Sequence, residues 1–244
     1  MANERLQRLM TEAPRGQPMD TRMLRGFGIS PALATYLVKA GWLQRLGKGA
    51  YVMTGDAPGR EGIIAFLARK TPGLHVGGKT ALNWQGVRHN IALDEKVTLW
   101  AQKPYAMPIW VSHHLRHSFQ TTKLFDEDLP YDTGLKLLPN MNSGVLVSVP
   151  ERALLELASD VGKGQSLEEA QNLVAGLRNL RQSVLDQFLA HCHRVKVVKI
   201  VRDLGKSSGY AWGSDLQRHV DRLGPDKRWS NVNKDGERLT LKPK

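Results

Sequence analysis

The stretch that decides the fold is SPALATYLVKAGWLQRLGKGAYVM, residues 30–53. Ser30 is a good N-cap, because its hydroxyl can accept from an orphan amide of the first turn, and Pro31 suits the first helical position, where a missing N–H costs nothing. Gly41 supplies the left-handed residue that ends a helix, here after about three turns. On a period of 3.6, Leu33, Leu37 and Ala40 fall on one face with Tyr36 at its edge, and Ala32, Thr35 and Lys39 fall opposite. Beyond the stop, Trp42, Leu43 and Leu46 lead into Gly47-Lys48-Gly49, and Ala50 to Met53 read as a returning strand. The reading is a short helix followed by a hairpin with a basic tip.

Upstream, Leu6, Leu9 and Met10 mark a first helix. Asp20 caps a second one, with Met19 and Leu24 at the spacing of a hydrophobic staple. The loop GFGIS then joins the second helix to the third, as the turn of a helix-turn-helix does. Three helices and a two-stranded wing make a winged helix-turn-helix over residues 1–55. Such a module places its third helix in the major groove and its wing tip along a phosphate backbone. The candidate DNA-binding residues are therefore Ser30, Ala32, Thr35, Tyr36 and Lys39 on the helix, with Arg45 and Lys48 on the wing. The plainer reading is a small helical packing domain whose basic residues are solvated.

Charge points the same way. The 244 residues carry a formal net charge of +12, which favours polyanionic partners. Lys and Arg exceed Asp and Glu by nine to four in residues 1–60, nine to seven in 61–150 and seventeen to twelve in 151–244. Both ends are thus candidate electropositive surfaces. A single cysteine, Cys192, excludes an intrachain disulfide framework and suits a reducing cytosol. No segment approaches the ~20 apolar residues of a membrane span, and the N-terminus lacks an apolar signal core, so a soluble cytoplasmic protein is expected.

TGDAPGREG, residues 54–62, reads as a linker. Residues 61–244 form the second expected domain. Helices are expected over 61–70 and from Lys79 to Gly86, and strands at 96–101, 107–112, 119–125, 134–139 and 144–149. Pro150 opens the helix PERALLELASD, Ser166 with Glu169 makes a capping box, and Ser183 caps SVLDQFLAHCHR. VKVVKIVRDLG and SDLQRHVDRLG close the series. The fold class is α+β: a winged helix-turn-helix, then a larger domain with a small antiparallel or mixed sheet and a C-terminal helical bundle. The tail after Leu223 is rich in turn residues and charge and is expected to pack poorly, with Trp229 as its one tie.

The ordered set GWLQRLGKGAYV, GLHVGGKTALNWQG and GVLVSVPERALLELASD resembles the AbiEi-type antitoxins of bacterial type IV toxin–antitoxin systems, over about residues 4–222. The resemblance implies an N-terminal winged helix that binds inverted repeats in the promoter of its own operon and represses it. It implies a C-terminal domain that counteracts a nucleotidyltransferase toxin without a stable complex. A stand-alone winged-helix regulator with a ligand- or partner-sensing C-terminal domain would carry the same motifs.

Catalytic readings are weaker. His113, His114 and His117 cluster, but no Cys or carboxylate joins them at ligand spacing, so a basic surface is expected rather than a metal site. His191, Cys192 and His193 diverge by about 100° per helical position and cannot face one substrate. GKGQS at 162–166 lacks the spacing of a phosphate loop. Asp94, Glu95 and Lys96 suggest a nuclease-like group only if a second carboxylate is placed beside them, which leaves an enzyme acting on nucleic acid as a third reading. No catalytic residue, cofactor or metal is expected. One further surface stands out: on the helix near 194–206, Arg194, Lys199, Arg202 and Lys206 gather on one side, either as a solvated face or as a second polyanion site.

Overall fold

The computed structural model describes residues 2–87, 96–137, 144–224, 229–232 and 238–241. The chain starts with α1 (Ala2–Glu12), whose Leu9 is fully buried, and a two-residue strand β1 (Met19–Asp20). Asp20 then caps α2 (Thr21–Gly26): its Oδ1 accepts from the Met23 N–H at 2.8 Å. The staple pair Met19 and Leu24 is buried in one cluster with Ile29, Leu37 and Leu43. Next come α3 (Pro31–Lys39), β2 (Leu43–Gly47) and β3 (Ala50–Met53). β1 joins the hairpin to give a three-stranded antiparallel sheet in the order β1-β3-β2. The order of helices and hairpin is the one expected from the sequence.

The expected linker is only partly a linker. Its last residues, Arg60 to Gly62, open α4 (Arg60–Ala68). Its middle is tied down, because Asp56 accepts from the Gly16 N–H and pairs with Arg15, and the Gly59 N–H donates to the Gly16 carbonyl. A Cβ on Gly62 would lie 2.6 Å from that same carbonyl oxygen, so backbone approaches backbone here.

The larger core begins with α4 and continues through β4 (His75–Val76), α5 (Gly78–Trp84), β5 (Val97–Trp100), α6 (Ile109–His114), β6 (His117–Gln120), β7 (Leu135–Leu137) and β8 (Leu146–Ser148). These strands form one mixed sheet in the order β6-β5-β4-β8-β7. β5/β6 and β4/β8 run parallel, β4/β5 and β7/β8 antiparallel. MPIWVS, expected as a strand, is instead the helix α6. Parallel strands cannot be joined by a tight turn, and α6 is part of the crossover between β5 and β6. Trp110 and Val111 point inward from it while Ile109 is 79% exposed.

Helices complete the body: α7 (Pro150–Asp160), α8 (Leu167–Ala175), α9 (Gln182–His191), α10 (Val195–Ser207), α11 (Ala211–Asp215) and α12 (Gln217–Arg222). Ser166 caps α8 as expected, accepting from the Glu169 N–H. Ser183 does not cap α9. The Arg181 N–H and guanidinium both donate to Glu151, which pins Arg181 as the cap residue and starts the helix at Gln182. In the tail, β9 (Trp229–Val232) pairs antiparallel with β10 (Arg238–Leu241), more order than its composition suggests.

A buried polar hub joins these layers. Glu156, fully buried on α7, accepts from His75 Nε2 (3.0 Å), the Gly78 N–H (3.0 Å), Ser148 Oγ (2.8 Å) and Arg152 Nε (2.9 Å). The other His75 nitrogen faces the Gly73 carbonyl, and Arg152 Nη1 donates to the carbonyls of Tyr131 and Thr133. Burial acts to raise the Glu156 pKa, but His75, Arg152 and their hydrogen bonds outweigh it and hold the carboxyl at about 2.

Candidate nucleic-acid interface

The candidate interface is built on α3. Ser30 Oγ accepts from the Leu33 N–H at 3.2 Å, and Pro31 fills the first turn. At the other end the Trp42 N–H returns to the Leu37 carbonyl across Gly41, whose φ of 79° needs a residue without a Cβ. Ala34 and Leu37 are buried, and Leu33 and Val38 pack against the same cluster. Ala40, expected in the core, is exposed; Ala34 takes that place, because the helix leans on its i, i+3 row.

The opposite face is open. Ala32, Thr35 and Lys39 are exposed, and Tyr36 is 64% exposed rather than at the edge of the core. Thr35 Oγ1 donates to the Pro31 carbonyl and keeps its lone pairs for an outside donor. Trp42, also exposed, follows this helix and was not singled out by periodicity, because it lies just past the stop.

The hairpin of β2 and β3, the expected wing, stands beside α3. Leu43 pairs with Met53, Gln44 with Val52 and Arg45 with Tyr51, after which a bulge shifts the register to Gly47 against Ala50. Arg45 Nε donates to the Gly47 carbonyl across this bulge, and Gly49 turns with a φ of 67°. Arg45 and Lys48 are both exposed. The hairpin is also seated on the larger body: Ala50 belongs to its core, Leu46 packs against that core, and a Cβ on Gly47 would meet Trp110 Cδ1 at 2.6 Å. A second tie runs through Asp20, whose Oδ2 lies 3.6 Å from Lys70 Nζ and 3.9 Å from Arg69 Nε, while Arg69 Nη2 donates to the Pro18 carbonyl at 2.9 Å. Burial acts to raise the Asp20 pKa; the Met23 N–H and the two cations overcome it and lower it.

The two family descriptions that match the chain are "Transcriptional regulator, AbiEi antitoxin N-terminal domain" over residues 2–93 and "Transcriptional regulator, AbiEi antitoxin, Type IV TA system" over residues 94–242. The chain belongs to the AbiEi antitoxin family. Among solved structures it is similar to the RV2827C protein of Mycobacterium tuberculosis, at 14% identity and a TM-score of 0.58, over 93% of this chain and 82% of that one. That likeness is one of fold. No curated protein matches the chain.

The second basic surface of this AbiEi-family chain is not the face that helical periodicity suggests. Lys199 is 1% exposed, and its burial lowers its pKa. α10 is covered by α7, α8, α11 and α12, so a residue that looks outward on a wheel is enclosed. Arg202 is engaged by Asp203 and by Gln217 Oε1 at 2.9 Å. Arg194 and Lys206 alone of the four are exposed. Lys196, a neighbour outside that set, donates to the Ser159 and Val161 carbonyls at the end of α7, and burial pushes it down to about 8.

The remaining candidates separate. His113 and His114 end α6, and His117 lies on β6 with Nδ1 against the Leu115 carbonyl. Among the described residues no three His, Cys, Asp or Glu side chains could hold a metal ion. Cys192 is buried, which pushes its thiol up to about 11, and His191 pairs with Asp126. Asp94 and Glu95 lie outside the described residues. Among the described residues no helix is long and apolar enough to cross a membrane.

Proposed function

We propose that residues 1–55 bind inverted repeats in the promoter of the chain's own operon and repress it. Residues 61–244 then counteract a nucleotidyltransferase toxin without a stable complex. The observation that carries the DNA-binding reading is the shared exposed surface of α3 and the wing. Thr35, Tyr36 and Lys39 stand free of the core, and Arg45 and Lys48 extend the same cationic edge. The family's description as a transcriptional regulator supports it. In this reading Thr35 and Tyr36 meet base edges from a helix capped by Ser30, with Ala32 leaving room for close approach. Lys39, Arg45 and Lys48 hold phosphates and set register.

The test is operator binding by the full chain. Each phosphate contact contributes about 0.9 to the slope of log K against log salt, or about 3.5-fold in affinity between 50 and 200 mM. Lys48→Ala therefore lowers the slope by about one unit and weakens all sequences alike, whereas Thr35→Val changes the ranking of operator variants. An unchanged slope in a Lys39→Ala/Arg45→Ala/Lys48→Ala variant removes the assignment.

For the antitoxin role, that triple variant is supplied from a foreign promoter together with a cognate nucleotidyltransferase toxin. Protection of the cells with the promoter released separates the two activities. Loss of protection at equal abundance makes DNA binding itself the protective act. The stand-alone regulator reading is favoured if no nucleotidyltransferase reading frame adjoins the gene.

A further inference from the structure

A cavity of about 510 Å³ opens beyond the carboxyl ends of the parallel strands β5 and β6, and α7 forms its floor. That volume falls within the usual range of small-molecule sites, and the carboxyl ends of parallel strands are where open α/β sheets receive ligands. Trp100, Leu124, Phe125 and Leu129 give it apolar walls, and Arg152 and Glu156 reach it from α7.

Its charged groups are unevenly paired. Each carboxylate in the wall is engaged: Glu156 accepts four hydrogen bonds, Asp126 pairs with His191 at 2.9 Å and Glu127 with Lys123 at 3.0 Å. Two cations have capacity left. The exposed Lys103 meets no acceptor among the described residues. Arg152 is only 3% exposed; its Nε and Nη1 are used, the Tyr131 side chain also engages the guanidinium, and Nη2 forms no hydrogen bond to a backbone carbonyl or carboxylate of the described residues. The guanidinium lies over the rings of Phe125 and Tyr131, at 5.7 and 5.0 Å from their centroids, so this donor is restrained before any ligand arrives. A buried arginine whose Nη2 is bonded to no carbonyl or carboxylate, in a pocket with apolar walls, is an arrangement for recognising an anionic group.

We propose that this cavity binds a small organic anion with a flat apolar body. Arg152 Nη2 and Lys103 hold the anionic group, and Trp100, Leu124 and Leu129 enclose the body. The site is independent of the DNA-binding reading, since none of its residues belongs to α3 or the wing.

The full chain is titrated by calorimetry and by NMR of its Trp indole N–H signals with two sets of probes: aromatic carboxylates (indole-3-carboxylate, salicylate) and nucleoside monophosphates (AMP, GMP). Indole-3-carboxamide and adenosine serve as uncharged counterparts. One anionic set is expected to saturate at millimolar concentration or below and to shift the Trp100 signal, with its uncharged counterpart weaker by about tenfold or more. Which set binds distinguishes a carboxylate from a phosphate ligand. Lys103→Gln should weaken binding by about threefold, as suits an exposed charge, and Thr122→Trp, which fills the cavity, should abolish it. Lys103 is exposed and Thr122 half-buried, and a native NMR spectrum verifies the fold. Failure of every probe to saturate, equal binding of charged and uncharged partners, or binding unchanged in Thr122→Trp would each overturn the proposal.

Discussion

Glu156→Gln tests the buried hub and keeps the side chain's volume. In the native chain the carboxyl sits at about 2 against an ordinary 4.5, a difference of about 2.5 units or about 3 kcal/mol of stability at neutral pH. A second route gives a similar figure: removing one partner of a buried ion pair leaves the other charge uncompensated, here on the enclosed Arg152, at a cost of about 3–5 kcal/mol. For a chain of this size each kcal/mol moves the midpoint by about 2–4 °C, so the variant should melt about 6–20 °C lower. The sign with pH is fixed by the depressed carboxyl. Its contribution is fully present above the unfolded value and drains away as pH falls from about 4.5 towards 2. Urea titrations of both proteins at neutral pH and at steps down the acid limb should therefore show a gap that narrows as the wild type weakens. A gap under about 1 kcal/mol at neutral pH, or one that stays constant on acidification, would refute the argument.

Gly47→Ala sets a Cβ against the Trp110 ring and should cost about 1–3 kcal/mol in chemical denaturation, with operator affinity reduced more than the fraction folded accounts for. Asp20→Asn keeps an acceptor for the Met23 N–H but loses the attraction of Lys70 and Arg69, so it should cost about 1 kcal/mol, whereas Asp20→Ala also loses the cap and should cost about 1 kcal/mol more. Cys192 should stay unreactive to a thiol reagent at neutral pH while the chain is folded and react fully in denaturant; rapid native labelling would contradict its burial and raised pKa.

Features written within a few residues were readable in the sequence. The caps at Asp20, Ser30 and Ser166 and the Gly47-Lys48-Gly49 turn are local devices, and each lies where its chemistry suggests. Of the candidate interface, the exposed face of Thr35 and Lys39 followed from periodicity, while Tyr36 and Ala40 were misjudged because a 9-residue helix fixes its inward direction only when its neighbours are known. β4 escaped notice, since two residues between a loop and glycines carry no alternation. MPIWVS became a helix because a distant strand pairing required a crossover. Lys199 looked solvated because a helical wheel assumes one buried side, and α10 has several. The hub and cavity were out of reach: His75 and Glu156 are 81 residues apart, and nothing local in either segment announces the other.

The central strand of the mixed sheet is only His75–Val76, and its parallel neighbour is reached at Val147. During synthesis the whole capped-helix and hairpin unit can leave the ribosome and close on contacts within its own first 53 residues. The body, by contrast, must wait until the chain has lengthened past residue 147 before its middle strand has a partner on that side. High sequence separation makes such pairing slow as well as late. The end of the molecule that carries α3 and the wing is thus the first to acquire its shape, and the seat that holds the wing, Trp110, arrives well after the wing itself.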